Sequence, residues 1–461
     1  MKIVLISPKG PLYRSKGGIF KKTLRYQPLT LVTLAALIPE ELNATVELID
    51  EGIQEIPRQI EADIIGMTVI TGTAKRSYEL AEQFRNRGIT VVLGGPHVTL
   101  MPDEAAEHAD TICIGYAEES WPELLRDFSR GVLAGRYQQS PNLSLGKTPF
   151  PQRDLLNPKH YLTHAVFEAT RSCAHSCEFC VAPVAWGRRQ LQKPVDRVVE
   201  DIRRVGEKKI IFIDLNLVSD KEYAKKLFTR LIPLNIKWFG LATVLIAHDR
   251  KLIELMARSG CRGLLLGLET ISTGGLADAN KRFNESVNYK ELIAQLQYLG
   301  ISIQGCFVFG LDHDHPQVFD DTAELAIDAG IDLPRFSILT PFPGTPLYSR
   351  MSRENRILTR DWQLYDGQHI VFQPKNMTVD DLRTGHERAW KKVYRWTAIT
   401  KRLWRAGNFQ PLAISVNLGY RFYAHNLHRY YNCDWQLNPV MPNLFSDRTS
   451  VNDSNREIAC G

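Results

Sequence analysis

No stretch of this 461-residue chain is apolar for long enough to cross a bilayer. The opening run Met1-Lys-Ile-Val-Leu-Ile-Ser7 is too short, and too soon followed by Pro8 and Lys9, to act as a secretory signal. A cytoplasmic location is expected, with at most peripheral contact with a membrane. A strong excess of one charge is also missing: 57 Lys and Arg stand against 51 Asp and Glu, and the net +6 does not by itself indicate nucleic acid. Cysteine is sparse, and of the 8 present Cys113, Cys261, Cys306, Cys433 and Cys460 are scattered, which argues against a disulfide framework and for a reducing compartment. What is there, 44% hydrophobic and 23% charged residues, is ordinary for a globular protein, and the length suggests two or three domains.

The other three cysteines are clustered in Arg171-Ser-Cys-Ala-His-Ser-Cys-Glu-Phe-Cys180. Iron–sulfur clusters that carry electrons usually have four thiolates. Three thiolates, Cys173, Cys177 and Cys180, can hold a cubane and leave one iron free to bind a substrate. The same residues could be three legs of a zinc site with His175 as the fourth ligand.

Ahead of this loop, short apolar runs recur at Lys2–Ser7, Thr45–Asp50, Asp63–Val69, Thr90–Gly94 and Thr111–Gly115, with helix-like stretches at 31–42 and 74–87 between them. That alternation predicts a doubly wound parallel α/β sheet over residues 1–135. Ligands of such sheets sit beyond the carboxyl ends of the strands. Those ends carry Ser7, Thr71, Gly94-Gly95-Pro-His97 and Gly115-Tyr-Ala-Glu118. After a linker at 136–160, strand runs at 165–170, 209–214, 237–243, 263–269, 302–310 and 334–340 predict six βα units, a partial barrel over 161–375. Asp214, Asn216, Thr243, Glu269, Asp312 and Thr340 fall at the strand ends, where such barrels place their active-site groups. A zinc ribbon has no need of that scaffold.

The Cys-x3-Cys-x2-Cys spacing, the order Phe212-Ile-Asp214, Gly260 to Glu269 and Gly305 to Gly310, and the pieces Asn280-Lys281 and Thr340-Pro-Phe-Pro-Gly-Thr-Pro346 resemble the radical S-adenosylmethionine (SAM) superfamily. Pro28-Leu-Thr-Leu and Gly94-Gly-Pro-His97 resemble the cobalamin-binding domain that precedes many such cores. The resemblance implies a [4Fe–4S] cluster on Cys173, Cys177 and Cys180, with SAM bound near Phe179, Asp214, Thr243, Glu269, Gly305 and Gly310. Cobalamin is expected near Ser7, Thr71, Gly94, Gly95, His97, Gly115 and Glu118. Because no Asp-x-His-x-x-Gly motif is present, the cobalt should have no histidine ligand of that type. A flavodoxin-like domain with a purely structural role also fits the glycine-rich loops. Where relatives often show paired acids after the second strand, this chain has Asp214-Leu215.

In the commonest branch of the family, a deoxyadenosyl radical removes hydrogen from an unactivated carbon and methylcobalamin supplies a methyl group. The expected activity is therefore C-methylation of a hydrophobic, lipid- or isoprenoid-like molecule or other secondary metabolite, with an external donor such as flavodoxin or ferredoxin. Cyclisation, oxidation or rearrangement without methyl transfer is the alternative, and a non-catalytic sensor the second. From Asp381 to Tyr431, Trp, Tyr and Phe interleave with Arg and Lys. That pattern suits helices capping the barrel over 376–446, an interfacial helix or an RNA contact. The polar residues 447–461 are expected to be disordered.

Overall fold

The computed structural model describes residues 1–10, 26–407 and 411–427. Its first half is one parallel sheet of six strands in the order β2-β1-β3-β4-β5-β6. These are β1 Lys2–Ser7, β2 Thr45–Asp50, β3 Ile64–Thr68, β4 Thr90–Gly94, β5 Thr111–Ile114 and β6 Arg136–Gln138. Ile3, Val4, Leu5 and Ile6 are all fully buried, because alternate residues of β1 enter different cores. Ile3 and Leu5 pack with Leu31, Val32 and Leu124 on one face, and Val4 and Ile6 with Leu80 and Phe84 on the other. A strand covered on both faces reads as a continuous apolar run, which is why the sequence shows it. The expected linker at 136–160 needs correcting at its start. β6 pairs in parallel with β5 and forms the sheet edge, but three residues, two of them exposed, give no apolar run to read.

The chain leaves β1 for β2 on one side and returns to β3 on the other, so the order reverses at β1. A crevice opens there at the carboxyl ends of the strands. The helix expected at 31–42 is shorter: Leu29–Ala36 is helical, and Pro39 starts a separate turn at Glu40–Leu42.

The second half is a parallel sheet in the order β7-β10-β11-β12-β13-β14. Its strands are β7 Val166–Phe167, β10 Lys209–Phe212, β11 Lys237–Ala242, β12 Cys261–Glu269, β13 Ser302–Phe309 and β14 Leu333–Ile338. The expected run 165–170 is split, because Thr170–Arg171 (β8) leaves the sheet to pair antiparallel with Leu191–Gln192 (β9). Along β13, Ile303, Gly305, Phe307 and Phe309 are buried while Ser302, Gln304, Cys306 and Val308 alternate with them as half-buried residues. Ile303, Phe307 and Phe309 belong to the main core, and Val308 packs half-buried against it.

Beyond β14, Val379–Val393, Trp396–Arg405 and Pro411–His425 are helices. Thr378 and Asp381 form a capping box at the start of the first, which packs on β14 and on the helix Val318–Asp328. Trp390 and Tyr394 are buried, with Trp390 Nε1 donating to Phe336 O at 3.2 Å and Tyr394 Oη to Pro334 O at 2.8 Å. Arg402, fully buried, donates to the carbonyls of Ile331, Asp332 and Val393. No described helix is long and apolar enough to cross a membrane. Residues 428–461, which include Tyr431 and the tail expected to be disordered, lie outside the described residues.

Candidate active site

Three ties from distant parts of the chain hold the cysteine loop. At its start, Ser172 adopts a left-handed backbone (φ 66°), donates its N–H to Tyr116 Oη at 3.2 Å and bonds Trp186 O through its hydroxyl at 3.1 Å. In the middle, Asn280 Nδ2 donates to Ser176 O at 2.9 Å and Glu178 N to Ala279 O at 3.2 Å. At the far end, Glu178 accepts Leu347 N on its carbonyl and pairs with Arg350 through its carboxylate at 3.1 Å. Arg350 also reaches Asp312, which Arg356 holds at 2.7 Å. Burial works against ionising Asp312, but Arg356 and Arg350 keep its carboxyl below the usual range.

Cys177 is buried, and burial pushes its thiol up to about 12; Cys180 is also raised, and the nearby Lys281 ammonium pulls both down. Lys281 Nζ lies 2.5 Å from Glu269 Oε1, both side chains being about nine-tenths buried. Glu269 ends β12 at φ 66°, where the register with β13 shifts between Gly267 and Glu269. A non-glycine left-handed residue costs roughly 1–3 kcal/mol and tends to occur at functional sites. Ser172, Glu269 and Asn280 all carry positive φ around this one loop. A Cβ on Gly267 would lie 2.3 Å from Glu269 Oε1 and 3.1 Å from Lys281 Nζ, so the glycine makes room for the ion pair. The cation beside Cys177 and Cys180 is thus Lys281, a role the sequence alone did not disclose. The dipeptide Asn280-Lys281 marked the place, but the charge beside the cysteines is visible only in the fold.

The other residues expected near SAM separate into two groups. Phe179 is half-buried in the loop and packs on the main core, and Thr243 stands half-buried at the end of β11. Asp214 is different. It is 1% exposed and accepts Ala169 N, Thr170 N at 2.5 Å and Thr170 Oγ1 at 2.8 Å. Burial, then Glu168, push its carboxyl up to about 7 against the pull of those donors. The carboxylate therefore pins the strand leading into the cysteine loop. Gly305 lies mid-strand, where a Cβ would meet Leu268 and Ile331, and a Cβ on Gly310 (φ 99°) would meet Phe372 and Leu382. Both glycines serve close packing behind the sheet.

Between the two sheets lies a cavity of about 300 Å³. Gly94, Gly95, Gly115, Tyr116 and Glu118 line it from the first domain, and Glu168, Thr170, Arg171, Ser172 and Trp186 from the cysteine-loop side. It continues toward Leu29, Thr33, Gly66 and Trp121, a slot between the first sheet and its helices. Gly95 has φ 105°, and a Cβ there would lie 2.9 Å from the backbone of Val69. Only glycine fits that turn. Of the residues expected at cobalamin, Gly94, Gly95, Gly115 and Glu118 line the cavity; Ser7, Thr71 and His97 do not.

His97 is fully buried, with Nδ1 3.3 Å from Thr71 Oγ1 and Nε2 3.2 Å from Glu104 Oε1. Trp362, from beyond the barrel, donates to the same Glu104 at 3.0 Å. Burial opposes the charge of Glu104, but bonds from His97, Tyr78 and Trp362 hold its carboxyl below the usual range. His97 is thus a joint between the two halves of the chain. Among the described residues, no histidine lines the cavity.

On the cavity wall, Glu118 pairs with Arg171, whose Nε donates to Glu168 Oε2 at 2.7 Å and whose guanidinium lies 4.7 Å from the centre of the Tyr116 ring. Tyr116 stacks on Trp186 at 5.4 Å. Despite burial, Arg171 and Lys193 keep the Glu168 carboxyl low.

The cationic stretch at the carboxyl end is largely spent within the protein. Arg388 and Lys392 pair with Asp320, Lys392 also with Glu324, Lys401 with Asp328 and Lys391 with Glu387. Trp396, Trp404, Ile414, Leu418 and Phe422 remain exposed, so this surface is aromatic and aliphatic more than basic.

A doubly wound sheet with a glycine-lined crevice stands against the start of a three-cysteine loop beside an open parallel sheet. Comparison with known proteins gives that arrangement a family. Residues 23–125 match the B12 binding domain, 167–344 the Radical SAM superfamily, and 345–425 a domain of unknown function, DUF4070. Bacteriochlorophyllide d C-12(1)-methyltransferase of Chlorobaculum tepidum is 31% identical over 389 residues, covering 82% of this chain and 84% of that protein. Bacteriochlorophyllide d C-8(2)-methyltransferase of the same organism is 28% identical over 401 residues, covering 81% and 87%. The structure of the cobalamin-dependent SAM radical enzyme OxsB, with aqua-cobalamin and SAM bound, superposes at a TM-score of 0.66 with 15% identity over 98% of this chain and 81% of that one, a shared fold. The chain belongs to the cobalamin-dependent radical SAM methyltransferase family, whose cofactors are a [4Fe–4S] cluster, SAM and cobalamin. Membership removes the zinc-site alternative.

Proposed function

We propose that the protein methylates an unactivated carbon of a hydrophobic small molecule, with a tetrapyrrole-type ring as the first class to test. The observation that supports this reading is the cavity, which sets the glycine cradle of the first sheet against Thr170, Arg171 and Ser172, the residues that lead into Cys173. The similarity to two bacteriochlorophyllide methyltransferases supports the substrate class. When bound, the cluster and SAM supply hydrogen abstraction and cobalamin the methyl group, while the protein supplies position and exclusion of water.

Each part of the site has a task in this reading. Cys173, Cys177 and Cys180 hold the cluster. Glu269, Lys281, Thr243 and Phe179 would hold SAM. Gly94, Gly95 and Gly115 would let a corrin approach backbone closely, and no described histidine lies in the cavity lining. Gln304, Cys306 and Val308 form one substrate wall, and Gln304 is steadied by Tyr420 Oη at 3.3 Å. A small acidic electron carrier such as flavodoxin or ferredoxin is the proposed reductant.

Anaerobically reconstituted enzyme given SAM labelled in its methyl group should pass the label to carbon of a chlorin or bacteriochlorin acceptor. Modified acceptor without label would favour cyclisation or oxidation, and absence of SAM cleavage under strong reductant would favour a sensor. Peripheral membrane contact, if the substrate is membrane-borne, is assigned to the exposed apolar face. Wild type should float with liposomes and the Trp396→Ser/Trp404→Ser double variant several-fold less. Equal, negligible binding by both, with fold intact, would remove the membrane from the proposal.

A further inference from the structure

Residues 345–425 match only a domain of unknown function, yet the first stretch of this region reaches both cofactor walls. The helix Pro346–Arg353 holds Glu178, which lies between Cys177 and Cys180, at two points. Leu347 N donates to the Glu178 carbonyl at 3.2 Å, and Arg350 Nε and Nη2 donate to its two carboxylate oxygens at 3.2 and 3.1 Å. Further along, Trp362 Nε1 donates to both oxygens of Glu104, at 3.0 and 3.1 Å. Glu104 in turn lies 3.2 Å from His97 Nε2, in the helix Pro96–Leu100 that follows directly on the cavity-lining Gly94 and Gly95. Just ahead of the stretch, Gly344 (φ 76°) comes against the same helix, where a Cβ would lie 3.2 Å from Leu100.

The chain between these two ends is tied to itself. Leu358 N donates to Val371 O at 2.9 Å, Gln373 N to Arg356 O at 2.7 Å, and Tyr365 Oη to Thr359 O at 2.6 Å. The Trp362 ring belongs to two apolar clusters at once, one with Leu364, Tyr365 and Val371, the other on the face of the first sheet that carries Leu80 and Phe84. Domains of one chain move against each other unless something holds them, and group transfer tolerates little misplacement of its partners. We propose that the stretch 346–364 is a brace that sets the spacing between the corrinoid cradle and the cysteine loop, with Trp362 and Arg350 as positioning residues at its two ends. The proposal rests on cobalamin and the cluster occupying the sites given above, and adds what fixes one relative to the other.

The test uses the full chain, reconstituted anaerobically with iron, sulfide and hydroxocobalamin and reduced with dithionite. Electron paramagnetic resonance reads the magnetic coupling between cob(II)alamin and the reduced cluster. Wild type should give one defined coupling. Trp362→Leu should hold the same iron and cobalamin yet give a weaker coupling spread over many distances, and with a methyl acceptor present the methyl transferred per SAM cleaved should fall about tenfold. Trp362→Phe, which keeps the ring and removes the N–H, should lie between the two, and it decides by the same reading if Trp362→Leu takes up no cobalamin. Leu403→Ala cuts a buried contact in the capping helix Trp396–Arg405, so it should lower thermal stability and leave the coupling where it was. Wild-type coupling in every Trp362 variant that takes up cobalamin would overturn the brace, as would an equal change in Leu403→Ala. Wild type that binds both cofactors without any coupling between them would overturn the cofactor placement itself.

Discussion

Replacing Cys173, Cys177 or Cys180 by Ala should abolish reductive SAM cleavage and reduce bound iron from about four per chain to a small fraction. Each substitution removes one of three anchors, and nothing nearby replaces it. His175, the candidate substitute, is stacked on Phe283 at 4.5 Å between ring centres. Cys261→Ala and Cys306→Ala serve as controls. Cys261 is fully buried in the core, and Cys306 is half-buried within β13, so both should keep full iron content. Iron and sulfide analysis with electron paramagnetic resonance decides the matter. A Cys177→Ala protein with unchanged cluster signal would remove this loop as the site.

Asp214→Ala should also lose the cluster, although the residue ligates nothing. Its carboxylate receives Ala169 N, Thr170 N and Thr170 Oγ1, and truncation leaves these buried donors unpaired just ahead of the cysteine loop. The expected destabilisation is roughly 3 kcal/mol. Asp214→Asn should be intermediate, because its one carbonyl oxygen can keep part of the pattern while its amide faces donors. Thermal unfolding and iron content should therefore fall in step from wild type through Asn to Ala. Normal iron content with a selective loss of SAM affinity would restore Asp214 as a cofactor contact.

Asp214 also shows where sequence reading stops. A carboxylate at a strand end in a βα barrel has the right address for ligand binding, and only the fold shows that its acceptor sites are already used. β1 was legible because it is covered on both faces and leaves an unbroken apolar run. β6 left no such trace, being short with one buried residue between two exposed ones. The cysteine spacing was legible since a cluster needs closely spaced thiolates. The pairing of Lys281 with Glu269, and of Arg171 with Glu118, was not, because partners distant in sequence leave no local pattern. His97 misled for the reverse reason. It sits in a glycine-rich loop of ligand-binding type, yet its ring is committed to Thr71 and Glu104. The pairing of the basic residues from 388 to 401 was not legible either, because Arg388, Lys392 and Lys401 find their acidic partners on the distant helix Val318–Asp328 and Lys391 finds Glu387 on its own helix.

The bond from Ser172 N to Tyr116 Oη crosses 56 residues of sequence and ends one residue from Cys173. A ribosome delivers the chain from its N-terminus, and domains fold as units in that order. Strands β1 to β5, with the Tyr116–Glu118 loop at their edge, are therefore complete before Cys173 emerges. The nascent cysteine loop meets a surface already shaped to receive Arg171 and Ser172, so the corrinoid domain acts first as a mould for the iron site and only afterwards as its working partner.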